Sequence, residues 1–317
     1  VPLAELVLPH RPDNLSAEEE ALALRHPLFD IIVYLMVPLQ WGMLVLFLLQ
    51  VAEPGSTGWE LAGRTVAMGM LCGIYGINVA HELGHRSTRW ERDLARALLL
   101  TSLYMHFIIE HNRGHHRRVA TDEDPASARL GEWLYMFWAR SMFQGFLNAW
   151  RIEAERLRRA GQAPYGWRNE MMQAMLWQGG LVGVIGFTLG AKAMLAFVAA
   201  ALIGALLLET VNYIEHYGLR RKRDANGRFR RVEHVHSWNS DHLLGRLTLF
   251  ELTRHSDHHW KASKHYQALR SIDEAPQLPT GYPGTMILSF VPPLFFAVMH
   301  PRLKALAASD GRLELAD

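Results

Sequence analysis

Histidine is the residue type whose number and spacing stand out in this chain. There are 17 histidines and a single cysteine among 317 residues. Three groups have the spacing of one helix face, which are His81 with His85, His111 with His115 and His116, and His255 with His258 and His259. Imidazoles clustered at helical spacing are typical metal ligands. We therefore predict that these groups bind metal.

A ninth candidate, His216, stands alone in the run NYIEHYGL at residues 212–219. One metal ion takes about four to six ligands, so nine imidazoles are too many for one ion and suit two. The lone Cys72 excludes a disulfide framework, a zinc ribbon and a Cys-ligated iron centre within this chain.

Carboxylate and amide groups should accompany the histidines. Neutral imidazoles leave the charge of two divalent ions uncompensated, and neighbouring side chains must also fix the ring tautomers. Glu209, Asn212 and His216 share one helix face by their spacing. The candidates for this supporting role are Glu82, Glu110, Asp124, Glu209, Asn212, Glu215 and Asp257.

Long apolar segments must position these residues. Residues 31–52 carry no charged side chain over 22 positions, which is enough to cross a hydrocarbon core of roughly 30 Å. Buried helices of soluble proteins account for shorter apolar runs than this one. We predict an all-α polytopic membrane helix bundle, formed by a single domain over 1–317, with four spans in two hairpins at 31–52, 61–85, 171–191 and 193–214.

Two further apolar stretches are ambiguous. Residues 97–109 are too short to cross a membrane and favour a half-inserted or interfacial helix. Residues 283–299 contain Pro292 and Pro293, which should interrupt a helix, so we expect this stretch to pack at the membrane surface.

Basic residues predict the orientation. The loop at 51–60 has no Lys or Arg, whereas ten Arg lie in 113–170 and twelve Lys or Arg lie in 216–282. The positive-inside rule therefore places a His-rich helical cap, 86–170 and 216–282, in the cytoplasm with all nine candidate histidines. A net charge of +2 gives no bulk charge for binding nucleic acid.

Other metal chemistries are compatible with parts of the pattern. Residues 81–85 read HELGH, which matches the H-E-x-x-H motif of zinc proteases, but one zinc site would leave seven histidines unused. A membrane metal transporter would need ionisable ligands along the middle of its spans, whereas these histidines lie at span ends. A metal pair at the mouth of an apolar bundle favours oxygen chemistry on a lipid-soluble substrate.

Four runs resemble the integral-membrane alkane 1-monooxygenases, part of the membrane di-iron group that includes the fatty-acid desaturases and xylene monooxygenase. They are HELGH (81–85), EHNRGHH (110–116), NYIEHYGL (212–219) and LTRHSDHH (252–259). Residues 119–129 and 236–243 add to the resemblance, which extends from about residue 28 to 270. Members of this family usually have six spans, so either two N-terminal spans are missing from this chain or the bundle is completed differently.

The resemblance implies an activity and a set of cofactors. The nine histidines would ligate two non-haem iron ions, and O₂ would be the co-substrate for hydroxylating the terminal methyl group of medium-chain n-alkanes to 1-alkanols. Electrons would come from rubredoxin and its NAD(P)H-dependent reductase. The implied location is the bacterial inner membrane, in contact with membrane lipid, with the site towards the cytoplasm. A desaturase-like or xylene-type oxygenase, acting on a fatty-acyl or aromatic methyl substrate, is the alternative.

Terminal attack requires a channel that presents only the chain end, because primary C–H bonds are stronger than secondary ones. From helical phase we predict that Trp41, Tyr75 and Asn78 line this channel.

Overall fold

The computed structural model describes residues 2–5 and 7–315, which are mostly helical. The helices are α1 Pro2–Glu5, α2 Ala17–Arg25, α3 Pro27–Ala52, α4 Gly58–Leu71, α5 Asn78–Gly84, α6 Arg89–Thr101, α7 Phe107–Glu110, α8 His116–Arg118, α9 Leu134–Arg159, α10 Glu170–His216, α11 Leu243–Thr248, α12 His255–Trp260, α13 Tyr282–Ser289 and α14 Pro292–Ser309. π-helical turns cover Cys72–Ile77 and His111–His115, and short 3₁₀ turns cover His234–His236 and Tyr266–Ala268. Strands β1 Leu219–Arg221 and β2 Leu313–Leu315 pair antiparallel, with Leu219 opposite Leu315.

Three helical segments are long and apolar enough to cross a membrane, namely Pro27–Ala52, Gly58–Gly84 and Glu170–His216. The third bends at Gly190, whose φ of 83° and ψ of 172° favour glycine. A Cβ atom on Gly186 would lie 2.9 Å from the Met194 sulfur, so the residues on either side of Gly190 fold back against one another. The turn between the predicted spans 171–191 and 193–214 therefore lies at Gly190, within the segment Glu170–His216.

The prediction of one helix over 97–109 is wrong. α6 ends at Thr101 and α7 begins at Phe107. Leu103 lies between them with a φ of 49°, a left-handed conformation that a right-handed helix cannot contain. The predicted break in 283–299 is confirmed, because α13 ends at Ser289 and α14 begins at Pro292, where a missing N–H costs nothing.

The chain forms two compact units. The first comprises Val1–His26, His115–Gln144 and Glu209–Asp317, and the second comprises Pro27–Gly114 and Gly145–Leu208.

In the second unit, small residues allow close contact between α4 and α10. A Cβ atom on Gly69 would lie 2.6 Å from Ile203, and one on Gly204 would lie 2.6 Å from the Cys72 Cβ. Gly73 meets Leu207 equally closely. This small-xxx-small arrangement is the usual route to tight packing of membrane helices.

A buried ionic cluster fixes the end of α5 in the same unit. Arg86 is 6% exposed, and its guanidinium lies 3.0 Å from Asp30 and 2.8 Å from Glu82. Glu91 accepts a hydrogen bond from the Tyr34 hydroxyl at 2.9 Å. These contacts hold α3, α5 and α6 together directly beside His81 and His85.

Candidate metal centre

Four imidazoles converge in the first unit. His115, His216, His255 and His259 are all buried, and one ligand atom from each lies within 4.8 Å of the others. The Nε2 atom of His259 is 3.2 Å from that of His115 and 2.9 Å from that of His255. The Nε2 atoms of His255 and His216 are 3.1 Å apart.

Hydrogen bonds alone do not explain these distances. Each imidazole Nε2 carries one proton or one lone pair, so it can join one nitrogen–nitrogen hydrogen bond. His259 Nε2 has two nitrogen neighbours within that range, and His255 Nε2 has two nitrogens and the Glu215 Oε2 at 3.2 Å. A cation at the centre would accept all the lone pairs together.

The spacing of the donors fits a metal ion. With a metal–nitrogen distance of about 2.1 Å, neighbouring ligand nitrogens lie about 3.0 Å apart at right angles and about 3.4 Å apart in a tetrahedron. The observed distances of 2.9–3.2 Å fall beside these values. Burial and the neighbouring imidazoles lower the pKa of His259 well below its usual range, so this ring is neutral and its lone pair can bind metal.

Asp124 sets the tautomer of His115. Its carboxylate Oδ2 lies 2.9 Å from the His115 Nδ1 and accepts the Ser127 hydroxyl at 2.6 Å. Burial opposes ionisation of Asp124, but its interactions with the His115 ring and the Ser127 hydroxyl outweigh it and leave the pKa of this carboxyl below its usual range. The ionised carboxylate holds the ring proton on Nδ1, which leaves Nε2 free for a metal.

Glu215 is a second acidic group in contact with the four imidazoles. Its Oε1 accepts a hydrogen bond from the Tyr282 hydroxyl at 2.8 Å, while its Oε2 is 3.2 Å from His255. Burial raises the pKa of Tyr282 well above its usual range. Tyr282 is therefore a neutral donor that orients the carboxylate.

A fifth and a sixth histidine form a pair beside this group. His116 and His258 place their Nε2 atoms 3.1 Å apart. The His116 ring lies 4.5 Å from the His259 ring, centre to centre.

The three remaining candidates lie together in the second unit. The His81 ring is 4.9 Å from that of His85 and 4.5 Å from that of His111, centre to centre. Phe107 stacks on His111 at 4.7 Å. His81 lies on α5 and His85 caps its C-terminus one turn later, whereas His111 opens the π-helical turn after α7.

The comparisons with known proteins agree with this metal chemistry. The sequence profile of the fatty acid desaturase family matches residues 57–288. The chain is 42% identical to alkane 1-monooxygenase 1 of Pseudomonas aeruginosa over 86% of this chain and 67% of that protein. It is 38% identical to alkane 1-monooxygenase of Ectopseudomonas oleovorans over 91% of this chain and 72% of that protein.

The chain belongs to the alkane 1-monooxygenase family. A more distant relative is the xylene/toluene monooxygenase hydroxylase component XylM of Pseudomonas putida, 30% identical over 96% of this chain and 82% of that protein. The sequence resemblance to the family is thereby confirmed.

The remaining residues predicted to support the histidines have varied surroundings in this member of the alkane 1-monooxygenase family. Glu82 accepts from Arg86, and Glu110 accepts from Asn148 at 2.8 Å. Glu209 and Asn212 are both buried on α10, with 3.5 Å between the carboxylate and the amide nitrogen.

Asp257 lies on α12 between metal candidates but faces other groups. Its Oδ2 accepts from the Lys264 ammonium at 2.6 Å and from the Arg270 backbone N–H at 2.8 Å. Burial opposes ionisation, but the nearby His234 ring and the hydrogen bonds from Lys264 and the Arg270 N–H lower the pKa of Asp257. Asp257 thus anchors α12 to the segment that follows it.

The predicted channel residues all lie in the second unit. Trp41 is half-buried and packs against the core around Leu44 and Cys72. Tyr75 lies in the π-helical turn Cys72–Ile77, and Asn78 is 6% exposed at the start of α5.

Sequence reasoning missed two residues beside the four imidazoles. Tyr282 is 67 residues from Glu215, and Ser127 is bonded to Asp124. Nothing in the spacing of Tyr282 signalled this contact, whereas Ser127 lies three residues after Asp124 and could have been found as its hydrogen-bond donor.

Proposed function

We propose that this protein is a membrane di-iron monooxygenase that hydroxylates the terminal methyl group of medium-chain n-alkanes. One oxygen atom of O₂ enters the 1-alkanol, and the other leaves as water after the supply of two electrons and two protons. The convergence of four buried Nε2 atoms beside Asp124, in a chain of this family, is the observation that carries the proposal.

The nine histidines predicted from the sequence hold two iron ions, and the four converging imidazoles hold one of them. When bound, the iron pair supplies the activation of O₂. Asp124 keeps the His115 proton on Nδ1, and Tyr282 keeps Glu215 turned towards His255. The apolar bundle keeps bulk water away and admits a lipid-soluble substrate.

The regiochemistry comes from geometry. Trp41, Tyr75 and Asn78 line a narrow channel that presents only the chain end to the metal. A larger side chain at this wall, as in Tyr75→Trp, should shorten the preferred alkane. An unchanged chain-length preference in this variant and in a variant at Trp41 would refute their placement.

The electron donor is rubredoxin, reduced by an NAD(P)H-dependent reductase. The protein lies in the bacterial inner membrane with four apolar segments as spans, and the His-rich cap at 86–170 and 216–282 faces the cytoplasm. The ten Arg of 113–170 and the twelve Lys or Arg of 216–282 support this orientation and suit an acidic redox partner.

The test is turnover of decane by the purified chain with added rubredoxin and reductase under ¹⁸O₂. We expect labelled 1-decanol. An unlabelled alkene would indicate desaturase chemistry, and a strong preference for p-xylene would favour the reaction named for XylM.

His216→Ala should abolish turnover while the protein stays folded. His300→Ala is the matched control, because His300 contacts the Tyr217 hydroxyl rather than the imidazole cluster. Full turnover in His216→Ala would remove that ligand from the site.

A further inference from the structure

The second unit contains a cavity of about 340 Å³ between α6, α7 and the first turns of α10. Its wall is apolar and is formed by Ala97, Leu100, Met105, Ile108, Ile109 and Ala174. Trp177, which is 65% exposed, and Asp93, which is also exposed, lie at its opening.

The rim of the cavity, Asp93, Arg96 and Glu170, is polar but has no spare positive charge. The Arg96 guanidinium donates to Asp93 at 2.6 Å and to Glu170 at 3.2 Å. Glu170 also accepts from Arg113 at 2.9 Å. Because the Arg96 and Arg113 guanidinium groups are both paired with carboxylates, the rim offers no unpaired cation to an anionic end group. A hydroxyl can both donate to a carboxylate and accept from Arg96.

The volume fits one saturated chain of medium length. A methylene group takes up about the volume of a water molecule, about 30 Å³, so the cavity matches on the order of ten carbons.

The inner wall shares helix α7 with Phe107, a residue that contacts the three-imidazole group of this unit. Ile108 and Ile109 lie on α7, and Phe107 on the same turn stacks on His111. The rim residue Glu170 begins α10, which is an apolar candidate span. The polar end of an amphiphile is favoured at such a boundary between apolar and polar segments.

We propose that this cavity binds a medium-chain 1-alkanol, with its chain along the apolar wall and its hydroxyl at the rim. The identity of the ligand rests on the proposed function, since a 1-alkanol is the product of that reaction. The cavity would then hold the product on its way from the metal to the membrane surface.

The experiment measures equilibrium binding of radiolabelled 1-decanol to the full chain in nanodiscs of defined lipid, without reductant, so that no turnover occurs. Ala97→Phe fills the cavity from a partly exposed position and should weaken binding at least tenfold. Ala199→Phe is the matched control, because Ala199 is exposed on α10 away from the cavity, and it should bind as the parent does. Ala174→Leu tests the same wall from α10 if Ala97→Phe does not fold.

The rim predicts selectivity by charge. Decanoate should bind more weakly than 1-decanol, and Asp93→Asn should strengthen decanoate binding about fivefold, the effect of one partly exposed charge. Equal binding of decane, 1-decanol and decanoate would overturn the proposal, as would parent-like binding in Ala97→Phe. A phospholipid that co-purifies with the parent and is lost in Ala97→Phe would also overturn it, because the cavity would then hold a membrane lipid.

This binding is independent of turnover. If 1-decanol binds as expected but the loaded enzyme gives no labelled alcohol under ¹⁸O₂, the proposed function fails. If labelled alcohol forms but 1-decanol does not bind in this way, the cavity proposal fails.

Discussion

Replacing Asp124 by asparagine should weaken metal retention while the fold persists. The Asp124 Oδ2 accepts from both His115 and Ser127, and its Oδ1 accepts the Ala126 N–H at 3.2 Å. An asparagine cannot satisfy all three donors. If the asparagine side chain turns its amide nitrogen towards Ala126, this nitrogen and the Ala126 N–H are two donors that face each other. With its amide nitrogen towards His115, the ring proton moves to Nε2 and blocks the lone pair that would bind metal.

The expected magnitude follows from this contact. A hydrogen bond to a charged group contributes about 1.5–3 kcal/mol, which corresponds to roughly 10–100-fold in affinity. Loss of partners behind a metal-bound histidine has effects of the same order. We therefore expect metal to be lost to a chelator 10–100-fold faster in Asp124→Asn.

The assay is release of bound metal to a chromogenic chelator, followed in detergent at pH 7.5 with the melting temperature recorded in parallel. Asp122→Asn is the matched control, because this neighbouring aspartate is half-exposed and pairs with Arg220. Ser127→Ala removes the local turn contact but keeps the bond to His115. If Asp124→Asn released metal within twofold of the parent rate, or if Ser127→Ala had the same effect, the tautomer argument would be refuted.

Three further outcomes are expected. Gly204→Ala should destabilise the protein by about 1–3 kcal/mol because the methyl group has no space against α4. Gly180→Ala is the control and should leave the stability unchanged, because no atom lies within 4 Å of its Cβ position. Equal melting temperatures for Gly204→Ala and Gly180→Ala would contradict this prediction. Burial lowers the pKa of His106 to about 4. The free energy of unfolding should therefore decrease as the pH falls from about 6.5 towards 4, by about 2 kcal/mol at pH 5. His106→Gln should show a smaller fall in melting temperature between pH 7.5 and 5 than the parent, and an equal fall would count against this prediction. Tyr282→Phe should speed metal release about tenfold, because the carboxylate of Glu215 loses a hydrogen-bond donor. A lower melting temperature without faster metal release would indicate a purely structural role.

The apolar segments and the histidine groups can be predicted from the sequence alone, because both depend on the spacing of residues that are close along the chain. The uncharged run of 22 residues at 31–52 predicts a helix, and it lies within α3, which has 26 residues and begins at Pro27. The turn between the predicted spans 171–191 and 193–214 is formed by the backbone conformation of one residue, Gly190.

Local spacing failed where the backbone departs from the α-helix. The spacing of His111 and His115 puts both on one face of an α-helix. The structure has a π-helical turn there, in which each residue turns through a smaller angle than in an α-helix, so the two rings are offset from their α-helical directions. As a result, His111 packs with His81 and His85, whereas His115 packs with His216 and His259.

Contacts distant along the chain were beyond sequence reasoning. The bond from Tyr282 to Glu215 depends on how α13 packs, and the cavity behind Ile109 depends on the break between α6 and α7. No periodicity encodes either feature.

Iron content of the purified full chain, together with that of His255→Ala, tests the central claim most directly. The account predicts about two iron ions per chain in the parent and about one in His255→Ala, because His255 belongs to the four converging imidazoles. Zinc as the only bound metal, or an unchanged iron content in His255→Ala, would contradict it.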